Sequence, residues 1–147
     1  MNTVDCSSQN EKNIETTGIT ILVADDRYEN RYYLEKLLTG NGYRVILVKD
    51  GEEALNIINN ETIDVIVTDI LMPGQDGYDI CKAIKGDPKT SHIPLIFYTA
   101  SYTEKRHIDY GFSIGADEYI IKPSEPGILL DVIRRFLHHD GCGKNLK

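Results

Sequence analysis

The 147-residue chain has the composition of one globular domain, which excludes several classes of protein at once. Its residues are 41% hydrophobic and 27% charged, and its formal net charge of −7 argues against a basic nucleic-acid-binding face. No apolar run approaches the roughly 20 residues that span a membrane. The cysteines Cys6, Cys81 and Cys142 have neither a disulfide nor a zinc spacing. We therefore expect a cytoplasmic protein without a direct nucleic-acid or membrane partner.

Five short apolar runs alternate with five amphipathic segments along the chain. The runs predict β-strands, and the segments between them predict helices because their apolar residues recur at helical spacing, although this periodicity is poor at 103–113. The strands are expected at 19–24, 43–48, 63–68, 93–99 and 118–121, and the helices at 30–38, 52–60, 78–85, 103–113 and 127–137. This alternation predicts an α/β fold with a doubly wound five-stranded parallel sheet, a (βα)5 three-layer sandwich.

Both ends of the chain differ from this pattern. Residues 1–17 are polar, with Val4 and Ile14 as the only aliphatic side chains after the initiator, and the last ten residues contain Gly141 and Gly143. Neither segment can offset its ordering entropy by burying apolar surface. We expect a flexible leader at 1–18, a folded domain at 19–138 and a flexible tail at 139–147.

Polar residues stand where the predicted strands end. Asp25 and Asp26 follow the first strand, Asp69 follows the third, Thr99 ends the fourth and Lys122 follows the fifth. The carboxyl ends of parallel strands share one edge of the sheet, so these side chains are expected in one cleft. Three carboxylates there favour a hard cation, Mg²⁺ by preference, while the ammonium and hydroxyl suit phosphoryl oxygens. The set predicts phosphoryl transfer onto a carboxylate, with Asp69 as the best candidate.

The motifs at these strand ends resemble the receiver domain of two-component response regulators. The matching segments are ILVADD at 21–26, VTDILMPGQDG at 67–77, FYTAS at 97–101 and GADEYIIKP at 115–123. They occur in the order of the family, each at a predicted strand end. The resemblance extends from about residue 19 to residue 137.

The resemblance implies a role for each residue in phosphorylation. Asp69 would accept a phosphoryl group from a phosphohistidine on a sensor histidine kinase or phosphotransfer protein. Lys122 and Thr99 would contact that group, and the Lys122–Pro123 peptide bond would be cis. Thr99 and Tyr119 would act as switch residues that change rotamer together.

The resemblance also implies a metal site and a partner surface. Asp25, Asp26 and Asp69 would hold Mg²⁺ together with the backbone carbonyl of Leu71. A downstream protein would bind the face formed by the fourth helix, fifth strand and last helix, and this face could also form a phosphorylation-dependent homodimer. We expect catalysis of the domain's own phosphorylation and dephosphorylation only.

Several alternatives stay open at the level of sequence. The chain could be a stand-alone regulator, a receiver from a hybrid histidine kinase or multidomain regulator, or a binding module that works without phosphorylation. Two other classes fit less well. A haloacid-dehalogenase-like phosphatase would need a second acid where Leu71 stands, and a nucleotide- or flavin-binding module would need a Gly- or Ser/Thr-rich loop where Asp25, Asp26 and Arg27 stand. Because Leu71 cannot orient a hydrolytic water and Ser101 is short, slow self-dephosphorylation is expected.

Overall fold

Five strands and five helices alternate along the described part of the chain, in the order that the sequence predicts. The computed structural model describes residues 18–138; except for Gly18, the predicted leader and tail lie outside the described residues. The strands are β1 (Thr20–Ala24), β2 (Arg44–Val48), β3 (Val65–Thr68), β4 (Leu95–Thr99) and β5 (Glu118–Ile121). The helices are α1 (Tyr28–Thr39), α2 (Gly51–Asn60), α3 (Gly77–Lys85), α4 (Lys105–Ser113) and α5 (Pro126–His138). None of these helices is long and apolar enough to cross a bilayer.

The five strands form a single parallel sheet in the order β2-β1-β3-β4-β5. Leu22 of β1 pairs with Ile46 on one side and Ile66 on the other, which fixes the register at the centre of the sheet. Strand β2 lies on one side of β1, whereas β3, β4 and β5 follow on the other side. Because the strand order changes direction at this point, a cleft opens between the carboxyl ends of β1 and β3. This topology confirms the predicted doubly wound (βα)5 fold.

An apolar layer covers each face of the sheet. In β1, Leu22 and Ala24 face one layer, whereas Ile21 and Val23 face the other, and none is more than 1% exposed. Side chains of α2 and α3 complete the first layer, and side chains of α1 and α5 complete the second. Burial on both faces explains why the central strands are continuous apolar runs without polar alternation.

The element boundaries differ from the predicted ones at a few positions. Helix α1 begins at Tyr28, two residues early, because its exposed first turn carries no apolar periodicity. Strands β3 and β4 begin two residues late, at Val65 and Leu95. The buried residues Ile63 and Ile93 precede these strands, so the apolar run is longer than the hydrogen-bonded segment.

Candidate functional site

Four polar residues stand at the carboxyl ends of neighbouring strands. Asp25 follows β1, Asp69 follows β3, Thr99 ends β4 and Lys122 follows β5. The Asp69 N–H donates to the carbonyl of Ala24 at 2.9 Å, and the Lys122 N–H donates to the carbonyl of Thr99 at 2.8 Å. These bonds continue the parallel ladder by one residue beyond the strands. The sheet therefore fixes the backbone positions of Asp69 and Lys122.

The ammonium group of Lys122 bridges two buried carboxylates. Its Nζ lies 3.2 Å from Asp25 Oδ2 and 3.7 Å from Asp69 Oδ2. The side chains of Asp25, Asp69 and Lys122 are 2%, 9% and 14% exposed. Two neighbouring buried carboxylates need a compensating cation, and Lys122 supplies it. The Lys122–Pro123 peptide bond is cis, as the family resemblance implies.

Burial dominates the electrostatics of Asp69. Desolvation raises the pKa of its carboxyl group, and the negative charge of Asp25 adds to that rise. The ammonium of Lys122, the N–H of Ile70 and the hydroxyl of Thr99 act in the opposite direction. The Ile70 N–H donates to Asp69 Oδ1 at 2.6 Å, which leaves Oδ2 as the oxygen beside the lysine. One oxygen is therefore held by the backbone, and the other is available to an electrophile.

The turn between β1 and α1 gives Asp25 hydrogen bonds that sequence reasoning missed. The Arg27 N–H donates to Asp25 Oδ1 at 3.0 Å, and the Asn30 amide donates to Oδ2 at 3.1 Å and to Oδ1 at 3.3 Å. The Arg31 guanidinium donates to the backbone carbonyl of Asp25 at 2.8 Å. These bonds fix the carboxylate in place. Polar residues are common in the first turns of helices, so their pattern in sequence gave no distinctive signal.

Two of the predicted metal ligands belong to exposed residues. Asp26 is exposed, and the side chain of Leu71, two residues beyond Asp69, is 52% exposed. Among residues 18–138, no three His, Cys, Asp or Glu side chains lie close enough together to hold a metal ion. Mg²⁺ is usually bound through one or two protein carboxylates and keeps several waters. The buried pair of Asp25 and Asp69 supplies such carboxylates, so the donor set fits this ion.

The predicted switch residues are both tied to the loop after β4. Thr99 is fully buried, and its Oγ1 accepts the N–H of Ser101 at 3.2 Å. The ring of Tyr119 packs edge-on against Phe97, with ring centroids 5.7 Å apart. Its hydroxyl donates to the carbonyl of Tyr102 at 2.6 Å. Tyr119 therefore lies turned toward the loop rather than toward solvent.

A cleft of about 520 Å³ opens beside Asp69 and Lys122. This volume is within the range of small-molecule binding sites. Its other polar and aromatic lining residues are Arg27, Asn30, Tyr33, Tyr98, Ser101 and Ser124. Sequence reasoning did not place Arg27 or Tyr33 here, because the direction of α1 relative to the strand ends is set by packing and not by a local motif.

The sheet order and the acid–lysine cluster together define a flavodoxin-like domain with its site at the strand ends. The model of the response regulator receiver domain family matches residues 21–134. The chain therefore belongs to this family, which confirms the resemblance in its motifs. Members are signalling domains of two-component systems, and phosphorylation is the general mechanism of the family.

Relatives and solved structures agree with this assignment. The "Probable transcriptional regulator ycf27" of Guillardia theta is 41% identical over 117 residues, which are 80% of this chain and 44% of that protein. The chain thus spans less than half the length of this relative. The receiver domain of a signal transduction histidine kinase from Syntrophus aciditrophicus is 32% identical, with a TM-score of 0.76 and coverage of 82% of this chain and 90% of that one.

A third comparison concerns a metal. The receiver domain of a sensor histidine kinase from Pseudomonas aeruginosa PAO1 is 28% identical, with a TM-score of 0.75 and coverage of 82% of this chain and 98% of that one. That structure has a magnesium ion coordinated in its active site cleft.

Proposed function

We propose that this receiver domain accepts a phosphoryl group on Asp69 from a phosphohistidine of a sensor histidine kinase or phosphotransfer protein. The observation that carries the proposal is the Lys122 ammonium, which lies between the buried carboxylates of Asp25 and Asp69 at the edge of an open cleft. A lysine with only a structural role would need one buried carboxylate as its partner. Lys122 lies beside two, which follow the neighbouring strands β1 and β3.

The chemistry follows from how Asp69 is held. The Ile70 N–H occupies Oδ1, so Oδ2 attacks the phosphorus atom. A new P–O bond forms, the P–N bond of the phosphohistidine breaks, and its electron pair stays on the imidazole nitrogen of the donor. Burial raises the pKa of Asp69, which makes its carboxylate a better nucleophile than an exposed one. In this proposal, the Lys122 ammonium and the Thr99 hydroxyl stabilise charge on the phosphoryl oxygens.

The metal ligands that we propose are the buried carboxylates of Asp25 and Asp69 and the backbone carbonyl of Leu71, together with Asp26, whose exposed side chain would have to turn toward the pair when the ion binds. Mg²⁺, when bound, neutralises negative charge on the carboxylates and on the phosphoryl oxygens. Two features support this assignment: the buried carboxylate pair, and the magnesium ion in the cleft of the related Pseudomonas receiver. Asn30 and Arg31 contribute by keeping Asp25 in place.

We also propose that the domain signals by binding another protein. Thr99 and Tyr119 respond to the phosphoryl group, and the face of α4, β5 and α5 binds a downstream protein or a second copy of the chain. This face exposes large side chains at Tyr110, Phe112 and Ile128. The free thiol of buried Cys81 is consistent with a reducing cytoplasm.

The test is intact-mass spectrometry after incubation with acetyl phosphate. The expected result is a gain of one phosphoryl group that requires Mg²⁺, is blocked by EDTA and is absent in Asp69→Asn. A matched control is Asp109→Asn, which removes an exposed acid of α4 and is expected to leave the gain unchanged. No adduct under any condition, or an adduct that persists in Asp69→Asn, would contradict the proposal.

A further inference from the structure

Helix α3 is attached rigidly to the backbone of the candidate phosphoacceptor. The Gly77 N–H donates to the carbonyl of Ile70 at 2.8 Å, and a Cβ atom at Gly77 would overlap the carbonyl of Asp69. A reciprocal capping box between Asp76 and Asp79 fixes the first turn of the helix. The next residue, Tyr78, therefore has a fixed position relative to Asp69.

Tyr78 joins this fixed helix to α4 and to the loop before it. Its ring packs edge-on against Phe97 and Tyr110, with centroids 5.5 and 4.8 Å apart, and lies 5.7 Å from the ring of Tyr102. Its hydroxyl donates to the carbonyl of His107 in α4 at 3.2 Å. Aromatic pairs in such geometries stabilise the fold by more than the burial of their apolar surface alone. Tyr78 thus holds α4 at a set distance from α3.

Tyr119 depends on the same arrangement through Gly111. A Cβ atom at Gly111 would lie 3.0 Å from Cε2 of Tyr119 and 3.2 Å from Cε2 of Phe97, so a larger residue there would displace the rings. Glycine is unfavourable inside a helix relative to alanine, yet Gly111 is buried in the last turn of α4. Burial raises the pKa of Tyr119, and the neighbouring Tyr78 adds to the rise.

We propose that Tyr78 and Gly111 are positioning residues that hold Tyr119 against Phe97 and thereby set the distance between α3 and α4. Tyr78 couples residues 69–76, the loop between β3 and α3, to the position of α4, and Gly111 provides the space in which the Tyr119 ring lies. The rotamer of Tyr119 is then set by helix packing as well as by the state of Asp69. The inference rests on the proposed function only in taking Tyr119 as a switch residue.

The test follows Tyr119 directly in the full chain, without phosphodonor and without Mg²⁺. All tyrosines are labelled with 3-fluorotyrosine, and the ¹⁹F signal of Tyr119 is assigned by its loss in Tyr119→Phe. The test variants are Gly111→Ala and Tyr78→Phe. Gly127→Ala is the matched glycine control, because a Cβ there would meet nothing within 4 Å, and Tyr32→Phe is the control for loss of an exposed hydroxyl.

We expect Gly111→Ala to shift or split the Tyr119 signal, and Tyr78→Phe to speed amide exchange in α4 by a factor of about three to ten, as for one lost hydrogen bond. Both controls should leave the signal and the exchange unchanged. If Gly111→Ala fails to fold, Tyr78→Phe still decides the question. The inference would be overturned if Tyr78→Phe showed the same Tyr119 signal and the same α4 exchange rate as the two controls. Because no phosphodonor is present, this result is independent of whether Asp69 accepts phosphate.

Discussion

Replacing Lys122 by methionine should destabilise the domain strongly at neutral pH. Methionine has a similar length but no charge, so the variant leaves the carboxylates of Asp25 and Asp69 buried side by side without a cation. Removing one partner of a buried ion pair typically costs about 3–5 kcal/mol of folding free energy. For a domain of this size, about 4 °C per kcal/mol gives a fall in Tm of about 12–20 °C.

The loss should depend on pH in a defined direction. Burial holds the pKa of Asp69 above its unfolded value, so ionised Asp69 lowers the stability of the fold, and this cost grows as the pH rises through the folded pKa. The Lys122 ammonium lowers that pKa, and its removal raises it further. The difference between variant and wild type is therefore largest near pH 7 and shrinks toward about pH 4, where the carboxyl groups become protonated.

Thermal and urea unfolding across this pH range measure the effect. Lys82→Met is the matched control: Lys82 is 53% exposed and lies 4.0 Å from Asp79, so its loss should change stability by no more than about 0.5 kcal/mol. Adding Mg²⁺ should restore more stability to Lys122→Met than to wild type, and saturation at 100 times the Kd contributes about 2.7 kcal/mol. A loss as small as that of Lys82→Met, or one independent of pH, would refute this account of the site.

Three further predictions follow from the same geometry. Asp69→Asn should raise stability at pH 7 in urea unfolding, since it removes a buried charge, and the gain should vanish at low pH; a loss at pH 7 would contradict the burial argument. Leu71→Asn should speed loss of phosphate, timed by intact mass, because an amide can orient water; an unchanged or slower rate would argue against the expected slow self-dephosphorylation. Gly77→Ala should cost several kcal/mol, on the order of 3 or more, because its Cβ meets the Asp69 carbonyl. Gly127→Ala should cost almost nothing, and equal costs for the two would refute the close approach.

The fold was predictable because the three central strands, β1, β3 and β4, are buried on both faces. Leu22 and Val23 point to opposite layers and are both apolar. Such an apolar run, without polar alternation, predicts a strand that is covered by helices on both faces. The convergence of Asp69, Thr99 and Lys122 was predictable for a related reason. In a parallel sheet every strand ends at the same edge, and the order of elements along the chain places these residues there.

Other parts of the site depend on packing that no local pattern encodes. Asn30 and Arg31 reach Asp25 only because α1 leaves the sheet at a particular angle. Asp26 follows Asp25 directly but is exposed, whereas Asp25 is buried, and the sequence of two consecutive acids does not distinguish them. The contact of Tyr78 with α4 joins residues 29 positions apart, and a lone tyrosine in a helix gives no sign of such a partner.

The most direct test of the central claim is to locate the phosphoryl group. The domain is phosphorylated with acetyl phosphate and Mg²⁺ and then treated with borohydride, which reduces an acyl phosphate of aspartate to homoserine. Peptide mass mapping then identifies the modified position. Our account predicts homoserine at position 69 alone, in wild type and in Asp109→Asn. Modification at Asp25 or Asp26, or an unmodified position 69 in protein that carries a phosphoryl group, would contradict it.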